Sequence, residues 1–156
     1  MAVMSAPAPV RARRESARLR RRSGDLGIAI SALVAALLAL PLAQSSWHGP
    51  EVASVLAIAA TAMLAGQRWA IAVIVIAELM LVPTVWPRAF LDGAETFTRV
   101  AALGSLLAII PGVLAMKRGA AALVLVSGWR RTSRTCRRAH IVLIALGLFA
   151  SMLPVL

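Results

Sequence analysis

Six acidic residues, two histidines and one cysteine are all that this chain of 156 residues offers to acid–base, metal or redox chemistry. A single thiol, Cys136, rules out an internal disulfide, and no thiolate metal cluster can be assembled from this chain alone. The His-Glu-x-x-His pattern, the Gly-x-Ser-x-Gly elbow, a phosphate-cradling glycine loop and the Cys-x-x-Cys pair are all missing. Hydrolysis or redox catalysis would therefore need groups recruited from elsewhere, and no catalytic activity is expected of the chain on its own.

Charge is scarce as well. Charged residues make up 15% of the chain, where a soluble domain carries about 25%. Hydrophobic residues reach 60% and the mean hydropathy is +0.84. The net charge of +11 raises the question of nucleic acid. There are no zinc-finger spacings, aromatics amount to 4%, and no polar body exists to carry such a domain. The positive charge sits at the edges of apolar blocks, where it reads as a topology signal and as attraction to anionic lipid headgroups. Nucleic acid is not an expected partner.

The apolar content falls in blocks, as membrane spans require. Five are predicted, over about 26–43, 52–66, 69–85, 100–116 and 140–156. The expected fold is thus all-α: a polytopic transmembrane helical bundle over 25–156, preceded by a disordered or surface-lying basic tail over 1–24. The segment 119–129 is too short to span, at roughly 16 Å as a helix. Basic residues flank it on both sides, so it is expected to re-enter or lie at the interface. Carrying the fourth helix through it would bury Lys117 and Arg118, which would require partners such as Glu78. The amino terminus differs from a cleavable signal peptide: its basic region starts only after ten residues, and the apolar block that follows is longer than a signal-peptide core.

Topology follows from the basic residues. Arg11, Arg13, Arg14, Arg18, Arg20, Arg21 and Arg22 precede the first block, and Arg130, Arg131, Arg134, Arg137 and Arg138 precede the last. With the amino terminus inside, only Arg88 and Arg99 of the 17 Lys and Arg residues face outward, as the positive-inside rule asks. Both arginine groups are candidate contacts for anionic lipid or for an acidic partner.

Against this background Glu78 stands out. It lies near the middle of the block from Trp69 to Val85. A carboxyl at that depth costs several kcal/mol unless it is protonated or has a polar partner. It is the candidate proton-binding or buried polar site. No other acid lies deep in a block; Asp25 and Glu51 fall at ends. Small residues mark candidate packing faces: Ala53, Ala57 and Thr61 in the second block, and Gly104, Ala108 and Gly112 at four-residue spacing in the fourth. His48, in an outer loop, and His140, at the start of the last block, are the candidate cofactor contacts, since imidazole can hold a haem or pigment. They fall on opposite sides of the membrane and make no metal pair.

These features point to an accessory or structural subunit of a multi-subunit bacterial inner-membrane complex, with other membrane subunits as partners. Glu78 would fix helix registry through a buried hydrogen bond. A small transporter, proton-coupled through Glu78, is the alternative. A quinone-, haem- or pigment-holding subunit is the third reading, although no cofactor is strongly implied.

Overall fold

A computed structural model of the chain describes the backbone over 10–43, 49–90 and 95–152, and the side chains over 22–42, 50–90 and 95–152. The described residues form an all-α bundle of six helices: α1 (Val10–Ala43), α2 (Gly49–Leu64), α3 (Ala70–Phe90), α4 (Thr96–Leu114), α5 (Met116–Val126) and α6 (Ser133–Met152). Four of them, α1, α3, α4 and α6, hold apolar stretches long enough to cross a membrane. The chain is a multi-pass membrane protein. The expected count of five resolves into these four and the shorter α2, whose 16 residues extend about 24 Å.

The neighbours α1–α2, α2–α3, α3–α4 and α4–α1 close a four-helix ring in up-and-down order, and the α5–α6 pair packs on its outside against α3. Alanines let the ring close tightly. Ala29, Ala32, Ala36 and Ala39 recur at three- and four-residue spacing along α1, each with no exposed surface, and Ala53, Ala60, Ala70 and Ala102 are equally buried on the other three helices. α3 is the most buried of the four long helices and α6 the least; only Leu143 and Ala150 of α6 are buried.

Helix boundaries differ from the sequence expectation for identifiable reasons. α1 is helical from Val10, so the arginine-rich segment from 10 to 24 continues the first span's helix. Arg, Ala and Leu are good helix formers, and no proline separates them from the apolar run. α3 runs through Pro83 and Pro87 to Phe90, past the expected end at Val85. α6 starts at Ser133 rather than 140, because Thr132 and Thr135 cap it: the Thr135 amide donates to Thr132 Oγ1 (3.2 Å) and the Thr132 amide to Thr135 Oγ1 (2.9 Å). The segment 119–129 is mostly α5, set off from α4 at Ala115. Lys117 and Arg118 are exposed, and Arg118 pairs with Asp25 at the other helix of that end, so neither cation turns to Glu78.

Candidate functional site

The seam that α3 turns to the bundle interior is Ile71, Ile74, Glu78, Leu81 and Val85, at alternating three- and four-residue steps. The four hydrophobic members are between 0 and 5% exposed. Glu78 occupies a core position in this row and is 0% exposed.

Opposite Glu78 lies Gly112 of α4. A Cβ at Gly112 would overlap both carboxyl oxygens of Glu78 and its Cδ. The absence of a side chain at Gly112 is what makes room for the acid. Among the described residues neither Oε1 nor Oε2 of Glu78 has a hydrogen-bond partner. An ionised carboxylate there finds no donor among the described residues to replace its hydration shell.

The same relationship recurs around α3. Val75 fills the notch at Gly119 of α5, where an added Cβ would stand 2.9 Å from Val75 Cγ2. Leu79 fills the notch at Gly147 of α6, 2.8 Å from Cδ2 on the same measure. Three side chains of α3 are therefore keyed into glycines of three different helices. Two of those glycines, 119 and 147, lie outside the small-residue stripes read from the sequence. Their signal was pairing across helices, which a single chain does not display.

The other expected residues fall as follows. Gly104 meets Leu38 of α1, while Ala108 is half-buried beside it. Ala53 is buried, Ala57 half-buried, and Thr61 exposed with its hydroxyl donating to the Ile58 carbonyl (2.8 Å). On α2 the buried row is instead Ala53, Leu56, Ala60 and Met63. Ser105 is the other buried polar residue among the described ones; its hydroxyl donates to the Ala35 carbonyl at 3.1 Å, tying α4 to α1.

His140 is half-buried on α6, with Nδ1 unpartnered among the described residues. His48 lies outside the described residues, as do the side chains of Arg11, Arg13, Arg14, Arg18, Arg20 and Arg21; Arg22 is exposed. Arg130, Arg131, Arg134, Arg137 and Arg138 are all exposed. No cluster of three or more His, Cys, Asp or Glu able to hold a metal ion occurs among the described residues.

At the end of the bundle opposite the Asp25–Arg118 pair, two long-range contacts close the structure. Arg88 donates to the Leu42 carbonyl, joining α3 to α1. Trp86 Nε1 donates to the Ser151 carbonyl at 3.0 Å, joining α3 to α6. An apolar groove of about 260 Å³ opens on the outside between α2 and α3, lined by Val52, Val55, Val73, Ile76 and Met80 with Glu51 at its edge. It uses the face of α3 opposite Glu78. No family model matches this chain, and no curated protein or solved structure does.

Proposed function

We propose that the chain is a structural subunit of a larger bacterial inner-membrane assembly, with its amino terminus on the cytoplasmic side. The observation that carries this reading is the packed interior. Alanine and aliphatic side chains fill the ring, Ser105 is tied to a backbone carbonyl, and Glu78 is sealed between α3 and Gly112. Such an interior suits a scaffold that holds its shape while its outer faces meet lipid and other subunits. The distribution of arginines supports the orientation. Native mass spectrometry after mild extraction tests the reading. A hetero-complex of fixed stoichiometry is expected, and a lone monomer or a homo-oligomer would overturn it.

A second reading, a small carrier coupled to protons through Glu78, is favoured by one observation: both carboxyl oxygens are buried without a partner among the described residues. Intramembrane acids of this kind are functional suspects by default. Purified protein in liposomes would then show flux driven by a pH gradient and lost in Glu78→Gln. Flux that survives the substitution excludes this role for the acid.

A further inference from the structure

One end of the bundle carries a surface that the bundle's own packing leaves unused. α5 is fixed there by three contacts. Gly119 sits against Val75, close to the Ile71 carbonyl at the start of α3; Met116 and Ala120 pack with Val75 and Leu143; and Arg118 pairs with Asp25 of α1. These set the first half of α5 beside the first turns of α3, at one edge of the membrane-crossing helices.

From that edge the chain presents Leu125, Val126 and Trp129, each more than half exposed, and then Arg130, Arg131, Arg134, Arg137 and Arg138, all exposed. The Thr135 hydroxyl also donates to the Arg130 carbonyl (3.0 Å), which holds the arginine-bearing turn against the start of α6. No Asp or Glu occurs anywhere from Thr96 to Leu156, so no acid in that stretch offsets these charges.

We propose that this surface binds anionic phospholipid headgroups, with Leu125, Val126 and Trp129 among the upper acyl chains and the arginines on the phosphates. The succession of aliphatic, indole and guanidinium groups over 14 positions follows the succession of a bilayer boundary: acyl chain, interface, charged headgroup. Guanidinium groups bind phosphate through paired donors, and an unbroken positive field attracts lipids of net negative charge over zwitterionic ones. An acidic protein would account for the arginines but not for the aliphatic residues beside them. The proposal rests on the membrane reading alone, so a lone monomer, which would sink the subunit reading, leaves it standing.

Trp129 reports on its own surroundings. Full-length protein carrying Trp47→Phe, Trp69→Phe and Trp86→Phe would be reconstituted in phosphatidylcholine with a minor fraction of phosphatidylglycerol, the bromine label being placed on one lipid or the other. Labelled phosphatidylglycerol is expected to quench Trp129 as though enriched roughly five-fold over its bulk fraction, the factor a single phosphate contact supplies. Replacing the five arginines by Gln should return quenching to the bulk fraction while labelled phosphatidylcholine still quenches. Quenching in proportion to bulk composition before those replacements overturns the proposal, and so does an emission that neither lipid affects, which would put Trp129 in water or against protein. Because Trp86 also holds the Ser151 carbonyl, a second measurement uses the chain with all four tryptophans. Native mass spectra from the mixed bilayer should show phosphatidylglycerol retained over phosphatidylcholine, and the five-Gln variant should lose that preference. Equal retention in the unsubstituted chain overturns the proposal as well.

Discussion

The carboxyl group of Glu78 on α3 ends in the space that a side chain at Gly112 of α4 would require. Each residue therefore constrains the other. Gly112→Ala should destabilise the bundle by about 1–3 kcal/mol, the usual cost of forcing extra volume into a packed core. With Glu78→Ala already in place the overlap is gone and the helix gains from losing a glycine, so the same substitution should stabilise by roughly 0.5–1 kcal/mol. A double-mutant cycle on unfolding in detergent measures both effects. Additive values would show that the acid does not occupy the Gly112 notch.

Glu78 itself should weaken the fold it sits in. Both of its carboxyl oxygens are buried and unpartnered among the described residues, and an unsatisfied buried polar group costs about 1–3 kcal/mol. Glu78→Met keeps an unbranched side chain of similar length and removes the polar atoms, so it should raise stability by about 1 kcal/mol or more. Glu78→Gln keeps a polar end in the same place and should give no such gain. If Met destabilises instead, the acid has a partner, and the hydrogen-bonded registry lock regains its basis.

Much of this architecture is legible in the sequence, and the unread parts have physical causes. The all-α class follows from apolar blocks of spanning length, and the isolation of Glu78 follows from its place within one of them. Its core row is not legible, because every other residue from Trp69 to Val82 is apolar and no face stands out. The alanines at 29, 32, 36 and 39 do mark one face of α1 by their small size. What faces each row cannot be read this way. Gly112, Gly119 and Gly147 become partners of Glu78, Val75 and Leu79 only once helix order around the ring is known. The start of α6 at Ser133 was hidden for a different reason: arginine reads as a loop on a hydropathy scale, yet it is a good helix former and here follows a threonine cap.

The notches at Gly119 and Gly147 differ in how far their occupants can yield. At Gly119 an added Cβ meets Val75 Cγ2 at 2.9 Å and Val75 Cβ at 3.2 Å, with the Ile71 carbonyl at 3.5 Å. Valine has a stiff χ1 in a helix, and the carbonyl belongs to the backbone. At Gly147 the close atom is the tip of Leu79, at 2.8 Å, and α6 packs at the bundle's edge, where it can shift. Gly119→Ala should therefore cost about 1–3 kcal/mol and Gly147→Ala under about 1 kcal/mol. Thermal unfolding of the two variants in one detergent checks the order, and a reversed order would mean that α6 is held more rigidly than α5.

The Ser105 hydroxyl joins α4 to α1 through the Ala35 carbonyl at 3.1 Å. That carbonyl lies within α1, where the helix already supplies a donor, so the serine adds a second bond rather than rescuing an orphaned acceptor. Interhelical hydrogen bonds in membranes average about 0.6 kcal/mol and reach about 1.7 kcal/mol. Ser105→Ala removes the bond and little volume, and should fall within that range. Ser105→Leu adds bulk where the side chain is fully buried beside an alanine stripe and should cost more, about 1–3 kcal/mol, by prising α4 from α1. Unfolding free energies of the two variants, compared in one detergent, separate the polar contribution from the steric one. Equal losses would assign the contact's importance to the hydroxyl; a much larger loss for leucine would assign it to the closeness of the two backbones, which the alanines at 32, 35 and 36 already imply.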